Sequence, residues 1–362
     1  MSAVAENKSR LSLGVQQLHP AYFALVMATG IVAIAAQLQG FRAVAVGLAV
    51  LNALQYVVLM ALLVLRTMRY PRLVLADAGH HLRGPGFFTL VAGTSVLGSQ
   101  ALVVMGSPRV ALALGVAALL FWCVINYGVL TLLIVKREKP EIAQGLNGGW
   151  LVAVVAAQSL AVIFALVARR VGVEWHEPLL LLGLMSWCFG GMLYVWIISL
   201  IFYRYLFLVM DPGDLTPPYW INMGALAIST LAGANLLAAA PLSPLLMSLV
   251  VFIKGVTFFF WSTATWWIPM LVILGFWRHV VRRFPLRYDP LYWGMVFPLG
   301  MYSTCTFRLG QELELALLGP VARGMFFVAV VVWAVVFAGM MSRLRFTLAA
   351  APQPSIITSK GA

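Results

Sequence analysis

Runs of roughly twenty apolar residues, each long enough as a helix to cross the hydrocarbon layer of a bilayer, recur along this chain. There are ten, at 20–38, 42–65, 86–105, 110–135, 149–168, 178–203, 218–239, 246–276, 291–309 and 318–342. Inside lipid every backbone N–H and C=O must be bonded within the protein, which leaves helices or closed barrels, and runs of this length fit helices. Composition agrees, since 62% of the 362 residues are hydrophobic and only 10% are charged, more apolar surface than a soluble domain can bury. No stretch of soluble-domain size remains between the runs. The first begins at Pro20 and is followed by others, so it reads as a mature helix and not as a cleaved signal peptide. The expected fold is an all-α membrane protein: a transmembrane domain of ten helices over 20–342, an N-terminal segment 1–19 and a C-terminal tail 343–362.

The net charge of +13 would point a soluble protein towards nucleic acid. Here the cations sit in short loops, with no basic domain to carry such binding, so their meaning is topological. With ten crossings the termini share one side, and that side holds 17 of the 24 Lys and Arg residues. They include Lys8, Arg10, Arg66, Arg83, Lys136, Arg204, Arg278, Arg343 and Lys360. The other side holds six, namely Arg42, Arg109, Arg169, Arg170, Arg308 and Arg323, and Lys254 lies within a span. The positive-inside rule then puts both termini in the cytoplasm, as expected for a multi-pass protein of a bacterial inner membrane. Cys123, Cys188 and Cys305 fall inside spans as small packing residues, with no disulfide or metal spacing.

The spans are of two kinds. Odd-numbered ones are rich in small and hydroxylated residues, such as Ala92-Gly93-Thr94-Ser95, while even-numbered ones are continuously aliphatic, such as Val330 to Val336. Small faces permit close packing or line a polar route, whereas aliphatic rims face lipid. The odd spans start at intervals of 66, 63, 69 and 73 residues. Four of them open on proline followed by an aromatic residue, and the third opens on Gly148-Gly149-Trp150. Proline in a first helical turn loses no backbone hydrogen bond. The simplest account is five helical hairpins in a pseudo-fivefold arrangement, with odd helices inside and even helices outside.

Enzyme signatures are missing from the pattern. The five histidines form no spaced pair within a span, there is no Walker-type loop, and no carboxylate sits deep in any span. A membrane-embedded enzyme would need His, Asp or Glu gathered at one depth, and a cation-coupled carrier would need buried carboxylates. The odd spans instead offer hydroxyls and amides, among them Thr29, Thr94, Ser159, Ser229 and Thr304, donors suited to an anion shedding part of its water. Each such hydroxyl can equally bond its own helix backbone. In the ninth span Pro298 removes a backbone bond and should kink the helix. Trp293, Phe297, Thr304 and Arg308 fall on one broad face, so Phe297 is either an occlusion below an anion-attracting Arg308 or a core ring beneath a snorkelling arginine. Lys254 has Glu312 or Glu314 as a candidate partner. No cofactor or metal is implied.

The opening His19-Pro20-Ala21-Tyr22-Phe23-Ala24-Leu25-Val26-Met27-Ala28-Thr29-Gly30-Ile31-Val32 resembles the first helix of the tellurite-resistance/dicarboxylate transporter family. That family includes TehA-type channels, the plant slow anion channels, the fungal malate permease and the fungal sulfite exporter. Phe297-Pro298 is similar to the family's gate phenylalanine, and span number and order extend the likeness from about 19 to 342. The resemblance implies a pore through each protomer lined by the odd helices, a phenylalanine plug at Phe297, and a homotrimer. It implies small anions as cargo (chloride, nitrate, sulfite or a C4-dicarboxylate), through a channel or alternatively a coupled exporter. Arg308 departs from the mostly apolar pore of the TehA-type and plant channels, and the long regulatory termini of the plant channels have no counterpart here.

Overall fold

The computed structural model describes residues 13–349, and all regular structure among them is helical. Lys8, Arg10, Lys360 and the tail beyond 349 lie outside the described residues. Ten long helices follow the apolar runs: α1 (Ala24–Leu38), α2 (Arg42–Arg69), α3 (Phe88–Val103), α4 (Pro108–Val135), α5 (Val152–Ala168), α6 (His176–Phe207), α7 (Ile221–Ala239), α8 (Val250–Phe276), α9 (Trp293–Glu312) and α10 (Leu318–Ala349). Among the described residues nine segments are long and apolar enough to span a membrane; α9, which carries hydroxyls, Arg308 and Gln311, is not one of them. The chain is a multi-pass membrane protein.

Burial separates the helices into two layers. In the apolar cores of the α1, α3, α5 and α7 segments 78% to 94% of residues are buried, against 17% to 39% in α2, α4, α6, α8 and α10. In α9 nearly every residue from Trp293 to Thr306 is buried as well. Neighbour relations close a ring: α1 packs on α3, α3 on α5, α5 on α7, α7 on α9, and α9 returns to α1. Each inner helix also packs on the outer helix that follows it in the chain. Small residues make this closeness possible. A Cβ at Gly224 of α7 would stand 2.6 Å from Cγ of Pro298 in α9, so these two helices touch at that glycine.

Every inner helix is entered through a short 3₁₀ turn, at Pro20–Phe23, Gly84–Phe87, Gly148–Leu151, Pro217–Trp220 and Pro290–Tyr292. Four of the turns carry proline in the first two positions, where the missing N–H has no intrahelical partner to lose. The third uses glycine because a Cβ on Gly148 would collide with the backbone of Pro218. These turns touch one another in the same cyclic order as the helices they open.

Cations at the ends of the outer helices tie down the segments leading into the inner ones. Arg66 donates to the Gln16 carbonyl, Lys136 to Gly79, Arg204 to Leu146 and Arg343 to Tyr288. In each case the anchored carbonyl precedes the inner helix of the same hairpin. Arg278 takes the corresponding place at the end of α8, with its guanidinium stacked 4.3 Å from the Phe284 ring. Part of the basic excess is therefore structural.

The stretch between α2 and α3 contains a further helix at Pro71–Ala78, whose Asp77 bridges Arg66 and Arg83. Two expectations need correction. The run at 246–276 divides into Pro244–Ser248 and α8, which continues as a π-helical turn to Val281. Lys254 thus sits about one turn into α8. It is exposed on the outer layer, and no ion pair within 4.0 Å joins it to Glu312 or Glu314.

Candidate functional site

Two cavities lie at opposite ends of the inner ring. The one at the 3₁₀ turns is about 240 Å³ and is lined by all five of them, including Ala24, Thr89, Val152, Ile221 and Gly294 just inside. Its polar side chains are His19, Arg83, Thr89, Asn147 and Thr216. His19 Nδ1 accepts from the Ala21 N–H at 3.1 Å and Asn147 Oδ1 from Gly149 at 2.8 Å, so both cap their turns. Burial, helped by the Arg83 guanidinium, lowers His19 to a pKa of about 4, which keeps Nδ1 an acceptor at neutral pH. Arg83 is held in turn by Asp77, at 2.6 and 2.9 Å. Burial of Asp77 acts to raise its pKa, but the hydrogen bonds and charges of Arg83 and Arg66 outweigh it and the net shift is downward.

The second cavity, about 350 Å³, lies at the C-terminal ends of α1, α3, α5 and α9. Leu38, Val103 and Leu166 line it with Gln37, Arg169, Arg170, Arg308 and Gln311. Between the levels of the two cavities, α9 is buried almost throughout, from Trp293 to Thr306. At about 100° per residue, Phe297 falls within roughly 60° of Gly294, which lines the first cavity, and roughly 20° of Arg308, which lines the second. Phe297 is 1% exposed. Pro298 sits inside an otherwise continuous α9 and against Gly224.

The five hydroxyls singled out in the sequence do not share one role. Thr29 accepts from Trp333 Nε1 of α10 at 3.1 Å, and Thr94 lies 3.0 Å from the Tyr56 hydroxyl of α2. Both are therefore engaged by the outer layer, on the side of their helices opposite Leu38 and Val103. Ser159 is on the face of Val152 and Leu166, and Thr304 lies within roughly 20° of Phe297. Ser229 stands on the flank of α7, where its carbonyl accepts from Trp187 Nε1 at 2.9 Å. Thr94, Ser159, Ser229 and Thr304 each donate to a carbonyl of their own helix, at 2.7 to 3.0 Å.

A sequence model of the voltage-dependent anion channel family (SLAC1) matches residues 17–341, nearly the whole of this ring and its outer layer. The chain belongs to the voltage-dependent anion channel family. It is 42% identical over 158 residues to an uncharacterized membrane protein of Mycobacterium tuberculosis, covering 43% of this chain and 79% of that protein. Over 337 residues it is 24% identical to an uncharacterized transporter of Methanocaldococcus jannaschii, covering 91% and 93% of the two chains. A second transporter of that organism is 23% identical over 332 residues. In this member of the voltage-dependent anion channel family, sequence reasoning missed the grouping of Arg169 and Arg170 with Arg308, having treated the first two as loop charges. It also missed His19 and Asn147 as caps at the opposite mouth. A His or Asn directly before a helix-opening Pro or Gly was the available signal.

Proposed function

We propose that the protein moves small anions across the membrane through the centre of the inner ring, with Phe297 as the occlusion. The observation that carries this reading is the closed ring of five buried helices with a cavity at each end and a wholly buried phenylalanine on the face between them. At the first mouth five helix N-termini converge, and their aligned N–H dipoles favour an anion without needing a fixed charge. Ser159 and Thr304 are the hydroxyls best placed along the axis face. Thr29 and Thr94 serve the packing of the outer layer on the inner one. Among the described residues no Asp or Glu lines either cavity, which suits an anionic cargo, because a buried carboxylate would repel it.

The same reading makes the ten helices five hairpins that cross the membrane ten times, with the 3₁₀ mouth cytoplasmic and the arginine-lined cavity outside. It takes chloride, nitrate, sulfite and C4-dicarboxylates as candidate cargo, and a homotrimer as the assembly. Replacing Phe297 by Ala removes a ring from the narrowest part of the route. Anion flux into proteoliposomes, measured in parallel for chloride, nitrate, sulfite and malate, should rise for at least one of them in Phe297→Ala. Flux and selectivity identical to those of the unaltered protein would remove Phe297 from the gate.

A further inference from the structure

We infer that the cavity at the C-terminal end of the ring is a binding site for divalent oxyanions, held by Arg169, Arg170 and Arg308. Its purpose, loading or capturing cargo at that mouth, rests on the pore reading above, but the binding itself does not.

The cations at the two ends of the molecule are in different states. At the 3₁₀ end the cations that line or adjoin the inner turns are occupied by the fold: Arg66 and Arg83 share Asp77, Arg204 reaches Leu146, Tyr219 and Asp214, and Lys136 reaches Gly79. Others there, such as Arg69 and Arg72, are exposed. At the other end no side-chain hydrogen bond or ion pair within 4.0 Å engages Arg169 or Arg170 among the described residues. Arg308 donates only to Gln311 Oε1, at 3.1 Å. Yet α5 brings the first two and α9 the third to the wall of one cavity. Arg169 and Arg308 lie within electrostatic range of each other, with the Glu312 carboxylate nearby. Three guanidiniums against one carboxylate leave an uncompensated positive charge.

Capping of helix ends explains one of these residues only. Arg169 is the C-cap of α5 and complements that helix's dipole. Neither Arg170 beside it nor Arg308 on a different helix is needed for that. The chemistry of the set selects its ligand. A guanidinium presents a planar fork that a carboxylate or a sulfate-like oxyanion can engage through two oxygens, whereas chloride cannot. Forks on two helices suit an anion with charge on two sides. Gln37, whose carboxamide oxygen has no partner, and Gln311 add adaptable amides at the rim. At about 350 Å³ the cavity reaches the lower part of the roughly 300–1,000 Å³ range of small-molecule sites.

The test is equilibrium binding of radiolabelled sulfate to the purified full-length protein, with unlabelled malate and nitrate as competitors. The unaltered protein should bind sulfate, with malate displacing it at lower concentration than nitrate. Arg169→Gln/Arg308→Gln should weaken sulfate binding roughly tenfold or more, the scale of one lost charge-assisted hydrogen bond. Arg308→Lys keeps the charge and loses the fork, so it should also bind more weakly while melting like the unaltered protein. The inference fails if the unaltered protein does not bind sulfate, if the arginine variants bind as it does, or if nitrate competes as well as malate. Failure of the pore reading shows separately, as unchanged flux in Phe297→Ala.

Discussion

At the scale of single residues, polar groups in the spans mostly serve packing, and a few are left over. Thr29 shows this. Its hydroxyl receives the Trp333 indole, so Thr29→Val should lower stability by about 0.5–1.5 kcal/mol, the net worth of one hydrogen bond. Flux of every anion should stay unchanged, as measured by thermal unfolding in detergent together with proteoliposome assays; altered selectivity would return Thr29 to the lumen. His19 supplies a pH-dependent term. Its folded pKa of about 4 is below the usual value near 6.5, so between these pH values the unfolded chain binds more protons than the folded one. The stability contribution of His19 is complete above about pH 6.5 and is lost as pH falls towards 4. His19→Asn keeps a capping acceptor and cannot titrate, so the unfolding midpoint of that variant should fall less steeply from pH 6.5 to 4 than that of the unaltered protein.

At the scale of elements, the repeated device is an outer-helix cation anchored to the segment that leads into its own hairpin's inner helix. Arg204 is a buried example with both a carbonyl and a phenol as acceptors, Leu146 and Tyr219. Arg204→Gln should cost about 1.5–3 kcal/mol for each charge-assisted bond lost, and Arg69→Gln or Arg72→Gln on exposed positions should cost far less. Equal melting of all three variants would show that the anchor has no energetic role. The contact between α7 and α9 is a second element-scale test. A methyl group at Gly224 must displace Pro298, which should cost about 1–3 kcal/mol by overpacking. Because Phe297 is the next residue, Gly224→Ala should also change flux, and unchanged flux would mean that the gate region absorbs the shift elsewhere.

At the scale of the whole molecule, the prediction concerns direction. With the 3₁₀ mouth in the cytoplasm, a cysteine at Lys139 should be labelled by an impermeant maleimide only after the cells are opened. A cysteine at Arg323 should be labelled in intact cells. Both positions are exposed, and the background would carry replacements of Cys123, Cys188 and Cys305. Reversed labelling would invert the protein, and would put the arginine-lined cavity on the cytoplasmic side without altering its chemistry.

The sequence by itself determined the class of fold, because apolar runs of bilayer length can satisfy their backbones only as helices. It also determined the division into two layers, since Gly, Ala, Ser and Thr permit close approach and aliphatic chains do not. The proline and glycine openings marked, to within about two residues, the starts of the 3₁₀ turns through which all five inner helices are entered. Spacing along one helix placed Phe297 with Arg308, as both belong to α9. What it could not supply was any relation between helices. Thr29 and Thr94 stood in the sequence as hydroxyls open to a lumen or to their own backbone, and only the packing shows Trp333 and Tyr56, on other helices, within hydrogen-bond distance of them. Arg169 and Arg170 looked like loop charges until the ring brought α5 beside the same cavity as α9. A helix wheel states which residues share a face, but only packing decides what that face meets.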